Sequence, residues 1–227
     1  NYAVNLGASI QFQNNGCINQ TGAVARARAP RAKATCRGMV FPRYATRVRD
    51  VLDGLSNTVM GGEINTDVGD NHITTRVIEE RGILNDPSLC DDQINPERPK
   101  YWLPGADFAS NSVQVQRGYK WMNGMAVNTG ITTILPPNGP ICSNANNTFT
   151  IGIYGPSSRH VGGAHILMGD GAVVFITDSI EAGDPTVGNI VWNGTGPQAP
   201  GSPSPYGLWG ALGTRAMSEV IEEAFNQ

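Results

Sequence analysis

Residues that could do chemistry are concentrated between 157 and 177, where His160 stands ten positions before Asp170. A histidine and a carboxylate can act as general base and acid, provided that they lie within hydrogen-bond reach. The apolar run that begins at Ala164 favours a strand, and at about 3.3 Å per residue a segment of this length separates the two groups by roughly 30 Å. We therefore expect His160 and Asp170 not to form a catalytic pair. His165 lies inside the same apolar run and is interpreted as a buried core histidine.

The same stretch carries a hairpin signal, because apolar runs at 164–168 and 172–176 flank an Asp-Gly pair. Glycine tolerates the positive φ of a tight primed turn, so the pattern predicts a hairpin with the turn at that pair. The runs are almost wholly apolar rather than alternating, which predicts burial on both faces. We interpret the motif as a folding signature in which the start of the strand is pinned by side-chain hydrogen bonds to the backbone. Its structural residues are Arg159, His160, Asp170 and Gly171.

A second polar group stands earlier in the chain, after a short predicted turn of helix that begins at Thr46 and ends at Gly54. Asp53, Ser56 and Asn57 could form a small catalytic or calcium-binding cluster. Such side chains more often cap local backbone amides, and that structural role is the one we predict for them.

Hard oxygen ligands also occur at close spacing in Asp67, Asp70 and Asn71, so Ca²⁺ binding is one interpretation. The segment lacks the spacing of a calcium-binding loop, which favours a solvated loop instead. No metal site and no cofactor are predicted.

The composition favours a β-rich, loop-rich extracellular protein over an intracellular helical one. Of the 227 residues, 40% are hydrophobic and only 15% are charged, and the chain contains 28 Gly and 15 Pro. A net charge of −3 gives no reason to expect nucleic acid as a partner.

The four cysteines, at positions 17, 36, 90 and 142, predict two disulfides in a secreted chain. Proximity favours Cys17–Cys36 and Cys90–Cys142, while the other pairings and free buried thiols stay open. The basic, Ala-rich segment from 17 to 38 is then a surface loop closed by the first disulfide, either simply solvated or a patch for an acidic partner.

The elements predict an α+β fold: a mainly antiparallel, loop-rich β-sheet with a short C-terminal helix. Strands are predicted within 1–12, 55–63 and 118–138, besides the hairpin. An apolar stripe predicts the C-terminal helix, through Met217, Val220, Ile221, Ala224 and Phe225. The chain is interpreted as a single globular domain, 1–227, with a variable, loop-rich region at 65–118. It lacks a run of 18 apolar residues, so no transmembrane helix is predicted.

Four blocks of the chain resemble, in the same order, a planctomycete-type prepilin-like family with a C-terminal H-x9-D-G motif. These blocks are Arg49–Glu63, Thr132–Cys142, Ser157–Ile176 and Trp209–Arg215. That family is classed as a domain of unknown function and is similar to type IV pilins and secretion pseudopilins. Its members begin with a prepilin peptide and a long hydrophobic helix. Since the chain opens without either, the resemblance implies that it is the C-terminal globular part of such a protein.

The resemblance implies a structural or interaction protein, a pilin- or pseudopilin-like subunit of an extracellular filament or cell-envelope assembly. It implies export to the bacterial cell surface or the periplasm, other copies or related subunits as partners, and membrane contact only through the N-terminal helix. No enzymatic activity is predicted, because the motifs of common hydrolases and dinucleotide-binding proteins do not occur. One alternative is an extracellular carbohydrate-binding module that stacks sugars on Trp102, Trp121, Trp192 and Tyr206. Another is a hydrolase that uses His160 with Asp170 or His165.

Overall fold

The chain folds around two β-sheets, which a computed structural model describes for residues 1–18, 21–109 and 116–218. The described strands, numbered in chain order, are β1 (Tyr2–Gly7), β2 (Val59–Glu63), β3 (Ile78–Glu79), β4 (Gly130–Thr132), β5 (Cys142–Ser143), β6 (Gly152–Ile153), β7 (Gly163–Met168) and β8 (Val173–Thr177). The described α-helices are α1 (Ala29–Thr35), α2 (Ala126–Thr129) and α3 (Gly207–Leu212). Short 3₁₀ helices cover Val48–Asp50, Leu55–Asn57, Pro87–Asp91 and Gly196–Gln198.

Most of the strand pairs are antiparallel. The larger sheet has the order β4-β1-β2-β7-β8, and only β1 and β4 run parallel among its neighbours. The smaller sheet has the order β3-β5-β6, with β3 parallel and β6 antiparallel to β5. Together with the short helices, this topology confirms the predicted α+β class, mainly antiparallel and rich in loops.

The inner face of the larger sheet carries one hydrophobic core. Ile166 of β7 and Ile176 of β8 point into it, and α3 covers them with Trp209 and Leu212. The indole of Trp209 is completely buried, and its Nε1 donates a hydrogen bond of 2.8 Å to the carbonyl of Leu135. A buried tryptophan needs such a partner, so this bond fixes how α3 sits on the sheet.

A second core lies around the smaller sheet and contains the disulfide between Cys90 and Cys142. This bond joins the Pro87–Asp91 turn to β5, with the two Cα atoms 5.7 Å apart. The predicted Cys90–Cys142 pairing is thus confirmed. Apolar side chains close the core around it, including Ile10, Ile78, Ile83, Trp102, Ile134 and Tyr206.

Cys17 and Cys36 are free thiols, so the predicted Cys17–Cys36 disulfide is not formed in the structure. Both lie in a small apolar cluster with one face of α1, while the basic side chains of Arg26, Arg28, Arg31 and Lys33 are exposed as predicted for a solvated surface. Alanines at helical spacing let α1 pack closely here. Burial raises the pKa of the Cys36 thiol to about 12, which keeps it protonated and unreactive.

The outer face of the larger sheet is open, which makes the prediction of a hairpin buried on both faces wrong. The side chains of β7 and β8 alternate between the core and the open face, and Val173 is 64% exposed. The reason is topological: β8 is an edge strand, and the cover that α2 gives, where Leu6 packs against Ala126 and Val127, lies at the opposite edge of the sheet.

The stretch predicted as a strand from 118 onward begins with turns and α2, and becomes β-structure only at Gly130. Trp121 is 74% exposed in one of these turns, although its type favoured a strand. The helix predicted from Met217 to Phe225 lies outside the described residues apart from its first two, and α3 ends shortly before it. Within the described ranges, no helix has the length and apolar character needed to span a bilayer.

Candidate functional site

The turn between β7 and β8 covers residues 169–172 and contains Asp170 and Gly171, where the sequence predicted it. Gly171 has a φ of 93° and donates a 3.0 Å hydrogen bond from its amide to the carbonyl of Met168. The Asp170 carboxylate accepts the amide of Ala172 at 2.9 Å, and this bond lowers its pKa. The Ser56 side chain also acts to lower this pKa. The Gly169 amide donates to the carbonyl of Thr58 at 2.8 Å, which attaches the segment around Ser56 to the hairpin tip.

Asp53 connects that loop to the chain after α3. Its carboxylate accepts hydrogen bonds from the amides of Met217 at 2.9 Å and Ser218 at 2.6 Å. Asn57 donates to the carbonyl of Asp53 at 3.3 Å, and Gly54 takes a φ of 91° between them. The Asp53 carboxylate thus caps backbone amides of a distant segment, and Asn57 makes a bond within its own loop.

Arg215 also binds backbone. Its Nη1 donates to the carbonyls of Cys36, at 2.7 Å, and Gly38, and its guanidinium lies 4.9 Å from the centre of the Phe41 ring. Burial lowers its pKa. Arg215 therefore ties the chain after α3 to the segment that follows α1.

Arg159 and His160 do not act as predicted, because neither side chain pins the hairpin through backbone hydrogen bonds. The Arg159 guanidinium forms an ion pair with the Asp70 carboxylate at 3.4 Å, and its side chain is half exposed. For His160 it is the backbone amide that is bonded, to the Ser158 hydroxyl at 3.1 Å.

The imidazole of His160 lies against that of His165, with ring centres 5.4 Å apart and planes at 90°. His165 is on β7, and the last residue of the neighbouring β2 is Glu63. The Glu63 Oε2 accepts a hydrogen bond from the His165 amide at 2.9 Å and lies 3.1 Å from the Nδ1 of the ring. One ligand atom from each of these three side chains falls within 4.8 Å of the others. We call Glu63, His160 and His165 the His-Glu cluster.

The electrostatics of the cluster favour an ionised carboxylate. Partial burial acts to raise the pKa of Glu63, but hydrogen bonds from the amide and ring of His165 and the charge of the two imidazoles lower it below its ordinary value. The His165 side chain is 42% exposed, so its interpretation as a buried core histidine is wrong. It stands on the open face because alternation along β7 places it opposite Ile166.

The cluster was missed from the sequence because Glu63 and His165 are 102 positions apart and meet only through the pairing of β2 with β7. Asp170 lies beyond the other end of β7 and takes no part in it. The cluster can share protons between imidazole and carboxylate, or offer two nitrogen donors and one oxygen donor to a cation.

In the acidic loop at 67–71, the two carboxylates bind groups of the protein itself. Asp67 is buried, which corrects its assignment to a solvated loop, and it accepts the amide of Gly69 at 2.9 Å. The Asp70 carboxylate forms an ion pair with the Arg159 guanidinium. These contacts give Asp67 a role in a turn and Asp70 a role in an ion pair.

An apolar groove of about 460 Å³ opens on the same outer face as the His-Glu cluster. The register pairs Tyr2 of β1 with Glu63, so the groove begins beside the cluster and continues along the sheet. Its lining includes Tyr2, Val4, Met60, Gly61, Trp121, Met122 and Leu167.

Comparison with known proteins places these features in a family. Residues 4–183 match the family model described as a protein of unknown function (DUF1559). This range includes the hairpin, the His-Glu cluster and the disulfide. No curated protein and no solved structure matches the chain. Since the match covers more than half of its length, the chain belongs to the DUF1559 family.

Proposed function

We propose that the chain is a structural protein, a pilin- or pseudopilin-like subunit of an extracellular filament or cell-envelope assembly at the bacterial cell surface. In this proposal its partners are other copies or related pilin-like subunits, and it carries no enzymatic activity. The open apolar face of the larger sheet is the observation that carries the proposal. We infer that an apolar helix of a neighbouring like subunit covers that face.

The groove on this face has the character of a contact surface. Tyr2 is 78% and Trp121 74% exposed, and Val4 and Met60 add further apolar area. An antiparallel sheet that faces water normally carries polar residues on that side, and contiguous apolar patches typically mark sites of interaction.

The disulfide between Cys90 and Cys142 supports the cellular location in this proposal. Disulfides form and persist mainly in oxidising compartments outside the cytosol. A subunit exported for assembly at the cell surface meets those conditions.

The carbohydrate-binding alternative has weaker support from the same surfaces. Trp102 and Tyr206 are buried in the core, which corrects their assignment to a sugar-stacking set near loops. The Arg31 guanidinium lies 6.0 Å from the Trp192 ring centre and occupies one side of that ring. Trp121 is the aromatic residue of this set that stays broadly exposed, at 74%, and it lines the groove.

Photo-crosslinking in the native host tests the proposal. The full-length protein would carry p-benzoylphenylalanine in place of Trp121, and a matched variant would carry it in place of Phe149. Both side chains are 74% exposed, but only the first lines the groove. We expect irradiated cells to give crosslinks from position 121 to like subunits, and none to such subunits from position 149.

A Trp121 variant that reaches the cell surface and stays monomeric after irradiation would contradict the proposal. Glycan binding by the purified chain that Trp121→Ala abolishes, with folding retained, would favour the carbohydrate-binding alternative instead.

A further inference from the structure

We propose that the His-Glu cluster binds a divalent transition-metal ion, for which Zn²⁺ is the best fit, through Glu63, His160 and His165. Two imidazoles and one carboxylate form a three-ligand set that zinc accepts, with the fourth position left for water or another ligand. Calcium and magnesium prefer shells made of oxygen atoms, so the two nitrogen donors select against them. This inference goes beyond the proposed function, because the isolated chain would bind the ion whether or not it assembles.

The separations in the cluster suit a small ion. Ligands at about 2.0–2.2 Å from a tetrahedral zinc lie roughly 3.3–3.6 Å from one another. The 3.1 Å between the Glu63 Oε2 and the His165 Nδ1 is already close to that spacing. Since all three ligand atoms lie within 4.8 Å of one another, only His160 needs to move appreciably. It is exposed and precedes β7, so rotation of its side chain meets little resistance from packing.

The two strand residues of the site are held in place by the sheet itself. Glu63 and His165 lie on adjacent strands, and the His165 amide donates to the Glu63 carboxylate at 2.9 Å. The Phe175 ring packs edge-on against the His165 imidazole with centres 5.1 Å apart, which limits the rotation of that ring. Ligands fixed in this way lose little freedom when the ion binds.

A hydrogen-bonded Glu–His pair is the simplest other explanation of these contacts, but it needs only Glu63 and His165. The proposal differs from it by requiring His160 as a third ligand. Replacement of His160 is therefore the decisive variant, and because the residue is exposed its loss should leave the fold intact.

Calorimetric titration with ZnCl₂ tests the proposal on the purified chain after treatment with a chelator. Co²⁺ would serve as a second probe, since its visible absorption reports tetrahedral coordination. We expect one ion per chain, and a loss of affinity of about tenfold or more in each of Glu63→Gln, His160→Gln and His165→Gln. Excess Ca²⁺ should not compete.

The chain offers matched controls, because its other histidine is His72, which lies outside the cluster. His72→Gln should bind zinc as the wild type does, and so should Cys36→Ser, which removes a free thiol. Absence of saturable zinc binding by the wild type would overturn the proposal. Unchanged affinity in folded His160→Gln, or an equal loss in His72→Gln, would overturn it as well.

Discussion

Arg117 is expected to be a major stabilising residue, although it lies in the region predicted to be variable loop. Its guanidinium is completely buried and makes hydrogen bonds of 2.9 Å to the carbonyls of Val127 and Gly130. Longer bonds reach the carbonyls of Ala126 and Gly155. Burial lowers its pKa to about 10, so the group is still charged at neutral pH. Its hydrogen bonds join α2, β4 and the segment just after β6.

Arg117→Met keeps a similar apolar stem and removes the donors. The carbonyls of Val127 and Gly130 then lose their short bonds, and each buried polar group without a partner costs about 1–3 kcal/mol. The sum is about 2–6 kcal/mol. Removal of a buried charge relieves a desolvation cost, which acts in the opposite direction. We therefore expect the free energy of unfolding to fall by about 3 kcal/mol, in the lower half of the range.

Urea denaturation followed by circular dichroism measures this change. Arg81→Met is the control, since that arginine has 83% of its side chain exposed and should change stability by no more than about 0.5 kcal/mol. If Arg117→Met were as stable as the wild type, the desolvation cost of the guanidinium would equal the stabilisation from its hydrogen bonds. That result would refute the reasoning.

Three further predictions concern the cores and a half-buried histidine. Replacement of both Cys90 and Cys142 by Ala opens a loop with a sequence separation of 52 and should lower the free energy of unfolding by about 4 kcal/mol in denaturant titrations. A loss below about 1 kcal/mol would show that the unfolded chain is already compact. Trp209→Ala should cost about 3–5 kcal/mol in the same assay, because it empties a completely buried site; a change within error would contradict the packing of α3. Burial lowers the pKa of His72, whose Nδ1 accepts the Thr74 amide at 3.3 Å, so its contribution to stability should be full above pH 6.5 and fall as the pH drops below that value. Titration of its ring protons by NMR should give a pKa below 6.5. A value above 6.5 would contradict the prediction, because stability would then rise rather than fall at low pH.

Local features of the fold could be predicted because short-range chemistry determines them. The Asp-Gly pair at 170–171 places a turn between two apolar runs, and β7 and β8 follow on either side of it. Asn57 donates to the Asp53 carbonyl, and Gly54 takes a positive φ between them, because both features depend on atoms only a few residues away. The Asp53 side chain also caps backbone amides, but these belong to Met217 and Ser218, 164 and 165 positions further along the chain. The pairing of Cys90 with Cys142 was favoured by proximity among open alternatives, and the structure contains it.

Which face of an element is covered could not be predicted, because that depends on segments far apart in the chain. His165 was interpreted as a core residue from its apolar neighbours, yet it stands on the open side of the sheet. Trp121 was assigned to a strand from its type, yet it lies exposed in a turn. Proximity along the chain favours a Cys17–Cys36 disulfide, yet both are free thiols buried in the apolar cluster beside α1.

By itself, the sequence determined the hairpin around the H-x9-D-G stretch, the mainly antiparallel class and the loop-rich character of this protein. These follow from turn residues and apolar runs that act over a few positions. Only the tertiary structure decided that Glu63 meets His160 and His165, that Arg117 is buried, and that one face of the sheet is open. Strand pairing brings together residues separated by about a hundred positions, and no local pattern specifies which strands will be neighbours.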